Sequence, residues 1–164
     1  MKKFKENLNS ILKMIRKAKK TDIEWMVELS HKKRLAYSKK HPNFWKMAEN
    51  SDEIQKKYFE KELENENVIA LIYEDKQGFI MGKLITPPEV YDAGLTLMID
   101  DFCVKSDDLW IMTGKELLDE CQREAKIMGA KQILVVCGDH DTQKFLLLEA
   151  MNMNVASRWY TKQI

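Results

Sequence analysis

The sequence predicts an α/β domain with a mixed, mostly antiparallel central sheet of about six to seven strands and helices on both faces. Three observations point there. Short runs rich in β-branched residues alternate with longer runs of helical period. Two strand runs, Val68–Tyr73 and residues 79–85, flank the turn Asp75-Lys76-Gln77-Gly78 and read as a hairpin. Further on, a strand, a helix and a strand follow one another, which is the pattern of a parallel crossover unit.

Taken in order, Phe4, Leu8, Ile11 and Leu12 recur at helical spacing and predict an extra N-terminal helix within residues 1–12. Residues 14–18 read as a first strand. Thr21 and Glu24 have the spacing of a capping box and open a helix reaching about Ser38, which His41-Pro42 ends. Ser51, followed by Asp52 and Glu53, starts a second helix whose apolar face is Ile54, Tyr58, Phe59 and Leu63. After the hairpin, Pro87-Pro88 breaks the chain, and residues 95–104 form a long, mostly apolar strand. A loop over residues 105–112 leads to a helix over 113–128, with Leu117, Leu118, Cys121, Ala125 and Met128 as its stripe and Gly129 as its cap. Residues 132–137 are a strand, Asp141 caps a helix through Met151, and residues 155–161 supply a last strand.

The 164 residues fit one domain over 1–164, large enough to bury a core without staples. Cys103, Cys121 and Cys137 are odd in number and far apart, so neither a disulfide framework nor a CxxC pair is indicated. No apolar run approaches the ~20 residues that span a bilayer, and no secretory leader is evident, so a cytoplasmic location is expected and no membrane partner. Residues 1–20 carry eight Lys/Arg and one acid, and the rest of the chain is net acidic. A basic arm can serve RNA or a ribosome, but only Phe4 interleaves with these lysines, which argues against nucleic acid. His31, His41 and His140 have no ligand-like spacing with cysteine or with each other, so no metal site is expected. Gly138-Asp139-His140-Asp141 reads as the loop and cap before the last helix.

The most specific stretch is Ile99-Asp100-Asp101-Phe102-Cys103-Val104, followed ten positions after Val104 by Gly114-Lys115-Glu116-Leu117-Leu118. With the element order, it resembles the GCN5-related N-acetyltransferases over roughly residues 14–161. The resemblance implies acetyl-CoA as co-substrate. Backbone groups of Phe102, Cys103 and Val104 would pair with its pantetheine arm. The turn Leu109, Trp110, Ile111, Met112, Thr113, Gly114 and Lys115 would cradle its diphosphate, because amides at a helix start carry partial positive charge. The sequence departs from the family's Q/R-x-x-G-x-G/A pattern at Leu109 and Met112, where an arginine or glutamine and the first glycine would stand.

The resemblance further implies direct transfer of acetyl to a primary amine of a small molecule or peptide, without a covalent enzyme intermediate, so Cys103 is not a nucleophile. Ile99-Asp100-Asp101-Phe102 is similar to the acidic pair of diamine acetyltransferases, which makes Asp100 the first candidate base and Asp101 the second. Strand alternation lets at most one of them face the acceptor. The family's acid tyrosine falls on Leu148, and Tyr160 is the candidate substitute from the last strand. Phe44 and Trp45, in the loop between the first two helices, are candidates for the acceptor pocket wall. A non-catalytic domain of the same fold that binds acyl-CoA or a protein partner is the alternative, and edge strands leave a homodimer open.

Overall fold

The computed structural model describes residues 14–164; the helix expected within 1–12 lies outside the described residues. The chain runs β1 (Ile15–Lys17), α1 (Ile23–Lys40), α2 (Ser51–Glu62), β2 (Val68–Tyr73), β3 (Gly78–Ile85), β4 (Thr96–Val104), α3 (Lys115–Ile127), β5 (Gln132–Val135) and α4 (Thr142–Ala150). The strands lie side by side in chain order, antiparallel except that β4 and β5 are parallel across the α3 crossover.

Among the described residues two helices cover each face, and the strand alternation decides which residues meet which pair. Ile69, Leu71 and Tyr73 of β2 join Ile80, Leu97 and Ile99 under Leu117, Leu118, Cys121 and Ala125 of α3 and Leu147 and Leu148 of α4. Ile72, Phe79, Met81 and Cys103 face the other way, onto Ile23, Trp25, Met26 and Phe59 of α1 and α2. Period-2 strands between period-3.6 stripes give two cores on one sheet.

The sheet of the described residues has five strands, not six to seven. The segment expected as a last strand forms none: Val155, Trp159 and Tyr160 are 60%, 80% and 89% exposed. Their spacing suits a strand, but they bury no face that would offset the entropy of ordering them. The start of α1 also differs in detail. The cap is not Thr21 with Glu24: Asp22 closes a short 3₁₀ turn, Lys20–Asp22, and accepts the Lys19 N–H at 2.7 Å. Glu24 pairs with Lys56 instead. Gly129 does take the left-handed conformation (φ 91°) that ends α3.

Asp22 is 5% exposed and accepts a fork from Arg16, Nη1 to Oδ2 at 2.8 Å and Nη2 to Oδ1 at 3.0 Å. Burial alone would raise its pKa; the Arg16 bonds and the Lys19 N–H hold it below the ordinary carboxylate value. A folded-state pKa below the unfolded one stabilises above the unfolded value and is lost as pH falls through the folded value. Asp22→Asn is therefore expected to cost about 2 kcal/mol at neutral pH, read by urea denaturation, with the difference vanishing in acid.

Candidate functional site

The site begins with a break in alternation. Ile99 pairs with Gly82 and Asp101 with Met81, so Asp100 has no partner on β3. It is the extra residue of a β-bulge, which bends a strand and re-aims its side chains. Leu97 and Ile99 point to the α3 and α4 face; one residue out of step, Phe102 joins them. Cys103 then faces α1 and α2.

At the same place β4 loses its parallel neighbour. The last paired residues are Ile99 and Val135, and Val136 donates to the Ile99 carbonyl at 3.0 Å. Beyond that the chain departs toward α4, and among the described residues no strand pairs with residues 100–104 on that side. The wedge between the diverging strands holds Lys144 of α4, which is 0% exposed. Its Nζ donates to the Val136 carbonyl at 2.7 Å and stands 5.3 Å from the Phe102 ring centroid and 5.7 Å from that of Trp110. Burial, and then the nearby charge of Lys33, bring its pKa down to about 8.

The two candidate carboxylates are distinguished by the bulge. Asp101 is half-buried and turned to α1 and α2, with long contacts of 3.4 Å from Ser30 Oγ and from Gln55 Nε2. Arg34 donates to both Ser30 and Gln55 and pairs with Asp52, which also meets His31. Asp100 is exposed at the bulge, and the Lys33 ammonium donates to its carbonyl at 3.1 Å. Lost hydration, then the charge of Asp101, raise the Asp100 pKa above the ordinary carboxylate value, against Lys33 and Lys144. The Cys103 thiol is buried, and burial pushes its pKa up, the wrong direction for a nucleophile.

The turn expected to cradle a diphosphate is wound more tightly than a loop. Helical winding begins at Asp107, passes through a 3₁₀ turn, Asp107–Leu109, and a π turn, Trp110–Gly114, and runs straight into α3. Asp107 and Asp108 occupy its first turn, where acids suit the helix dipole. The π turn rolls Trp110 into the core, edge-on to Phe102 with centroids 4.8 Å apart. Gly114 lies against that ring: a Cβ there would sit 2.8 Å from Trp110 Cε3, so packing alone demands glycine. The Thr113 hydroxyl donates to Gln77 at 3.1 Å, and Lys115 pairs with Asp119. Leu109 is half-buried, while Ile111 and Met112 are 70% and 69% exposed.

Phe44 and Trp45 stack edge-on with centroids 4.6 Å apart, and Trp45 stands 5.3 Å from Tyr37 of α1. Tyr37 is buried; its hydroxyl accepts the Gly138 N–H at 3.2 Å and donates to Asp141 at 3.3 Å, and burial pushes its pKa up to about 12. The structure thus sets residues 100–103 along the β4 edge that β5 leaves, with Phe102 and Trp110 on its α3 and α4 side and Asp101 and Cys103 on its α1 and α2 side. Tyr160 is not brought there, since the strand that was to carry it does not form. A charged surface depression of about 670 Å³ between Lys20, Glu24, Lys56 and Glu64 lies elsewhere.

Sequence reasoning missed Lys144, Lys33 and the role of Tyr37. Lys144 had a signal: it occupies the buried position of the stripe continued by Leu147, Leu148 and Met151. It also missed a meeting of His41, Asp139 and His140, whose ligand atoms lie within 4.8 Å of one another. No reading of linear spacing joins residues 98 positions apart.

No family model and no curated protein matches the sequence. Solved structures do match. The BH1408 protein from Bacillus halodurans superposes over 92% of this chain and 99% of its own, at 15% identity and a TM-score of 0.80. A predicted acetyltransferase with acetyl-CoA from Clostridium acetobutylicum matches over 91% and 94%, at 21% identity and 0.67. Aminoglycoside N-acetyltransferase AAC(6')-Iy in complex with CoA matches over 92% and 93%, at 16% identity and 0.67. With the bulged β4, the diverging β5 and two helices on each face, these likenesses give this chain the fold of the GCN5-related N-acetyltransferases.

Proposed function

We propose that this chain is an acyl-CoA-dependent N-acyltransferase that moves acetyl from acetyl-CoA to a primary amine of a small molecule or peptide. One observation carries the reading: level with the bulge at Asp100, β5 leaves β4, and among the described residues no strand covers the edge beyond, beside a carboxylate whose pKa is raised. Structural neighbours that hold acetyl-CoA or CoA support it. The pantetheine arm would lie along Phe102, Cys103 and Val104, with the diphosphate near the turn from Leu109 through Trp110, Ile111, Met112, Thr113 and Gly114 to Lys115. Asp107 and Asp108 oppose an anion there, so the arm rather than the phosphates would supply most of the affinity.

In this reading the carboxylate of Asp100 takes a proton from the acceptor ammonium. The freed amine nitrogen attacks the thioester carbonyl, a C–N bond forms, the C–S bond breaks, and the nitrogen gives its surplus proton to water as the thiolate leaves. Asp101 is held by Ser30 and Gln55 and serves as the second candidate. Tyr160 would have to fold across β4 to protonate the thiolate, so water is the proton source assigned here. Phe44 and Trp45, beside Tyr37, form the acceptor wall.

Calorimetric titration with acetyl-CoA, followed by thiol-release assays over a panel of primary amines, tests this. One-to-one binding with thiol release for at least one amine is the expected result. Binding without release for any amine supports the non-catalytic alternative. Absence of binding at millimolar acetyl-CoA overturns both.

A further inference from the structure

The geometry assigns a second site, argued without the acyl-transfer reading: we infer that His41, Asp139 and His140 bind a divalent transition-metal ion, zinc by first choice. His41 is the residue that ends α1, and Asp139 and His140 lie in the loop between β5 and α4. His41 Nε2 stands 2.9 Å from Asp139 Oδ1, and His140 Nδ1 stands 3.3 Å from the same oxygen. With zinc bonds of about 2.0–2.1 Å, the ligand atoms of a tetrahedral site are about 3.3 Å apart, so these two edges need only small adjustment. Two imidazoles and one carboxylate are a borderline N,O donor set, suited to zinc and disfavoured for magnesium or calcium.

The donors are held from behind. The His41 N–H is fixed to the Tyr37 carbonyl at 2.9 Å, and Asp141 N–H to the Gly138 carbonyl at 3.0 Å. The Tyr37 hydroxyl pins Gly138, and the Tyr37 ring packs edge-on against His140 with centroids 4.5 Å apart. Both loops therefore hang on one buried tyrosine, and the three donors converge without ordering new chain. The protein-only state is also imperfect. One carboxylate oxygen faces nitrogens of both rings, with no other side chain to share the contact among the described residues. A metal ion replaces that crowded contact with two nitrogen lone pairs and one carboxylate oxygen on a single cation. Asp139 is 76% exposed, which leaves the solvent side open for water or another ligand in the remaining position.

The ion would tie the Phe44-Trp45 loop, which follows His41, to the C-terminal end of the sheet. Such a tie orders the loop without adding to the core, so its effect reads as metal-dependent stability.

The test uses the full chain and zinc chloride in a non-chelating buffer near neutral pH, read by calorimetry and by thermal melting. Saturable one-to-one binding with a rise in Tm is expected. His41→Gln and Asp139→Asn, both at solvent-exposed positions, should keep the fold by circular dichroism and weaken binding about tenfold or more. Cys137→Ser should leave zinc affinity unchanged, and cobalt substitution should show no thiolate charge-transfer band. Zinc affinity unchanged in both His41→Gln and Asp139→Asn, a thiolate band with cobalt, or no saturable binding would each overturn the assignment.

Discussion

Asp100→Asn is expected to lower kcat/KM for acetyl transfer by about 10²–10⁴-fold while leaving acetyl-CoA affinity unchanged, a barrier increase of roughly 3–5 kcal/mol. Position and protonation both single out this carboxylate. Asp100 is the unpaired residue of the bulge, so its side chain is not committed to the sheet, and among the described residues no hydrogen bond from another side chain draws it aside. Asparagine keeps the size and the backbone conformation, since both residues suit irregular strand positions, and removes only the ability to accept a proton. Because the Asp100 pKa is raised, the wild-type rate should fall as pH drops through a value above the ordinary carboxylate range, and the variant should lose that acidic limb. Asp101→Asn gives the contrast. The amide oxygen keeps one of the two long contacts from Ser30 and Gln55 and the other is lost, but the assigned base is untouched, so a far smaller loss in rate is expected. Equal losses in the two variants, or a full rate in Asp100→Asn with its pH profile intact, would remove Asp100 from the mechanism.

The second large effect concerns Lys144, and its readout is stability against pH. An ammonium with no exposed surface, bonded to one carbonyl and set against two aromatic rings, replaces its water shell incompletely. The fall in pKa from 10.5 to about 8 corresponds to about 3 kcal/mol lost by the folded state whenever the amine is charged. Between those two values the unfolded chain holds more protons than the folded one, so stability rises with pH across that window. Below the folded value the penalty is complete, and above the unfolded value it is gone. Lys144→Met should therefore gain relative to the wild type at pH 7. That relative gain should shrink by about 3 kcal/mol between pH 7.5 and pH 10.5 in paired denaturation curves. The Met variant leaves the Val136 carbonyl without its donor at every pH, which shifts the comparison by a constant and leaves the slope as the diagnostic. A pH-independent difference between the two proteins would mean that Lys144 is not a buried cation.

The order of the elements was legible because each carries its own local chemistry. Val68–Tyr73 is β-branched and bounded by turns, Gly129 needs the left-handed conformation, and the α3 stripe repeats at helical spacing. The chain deceived where local pattern lacked a tertiary partner, as in residues 155–161, whose alternation meets no second layer. Gly114 deceived differently. As a glycine before a helix it looked like room for a phosphate, and the space it provides is taken by the ring of Trp110. The candidate site was half legible. Asp100 and Phe102 stood out by their place at a strand end. The convergence of Lys33, Tyr37 and Lys144 depends on how helices from distant parts of the chain lie on the sheet, which no local spacing encodes.

The unpaired Asp100 makes β4 a strand read in two frames. Upstream of it, odd-numbered residues look toward α3 and α4; downstream, even-numbered ones do. Deleting Asp100 would make Ile99 and Asp101 neighbours opposite Gly82 and Met81, restoring uninterrupted alternation with Phe102 and Cys103 still on their present faces, so the extra residue serves the edge and its carboxylate rather than either core.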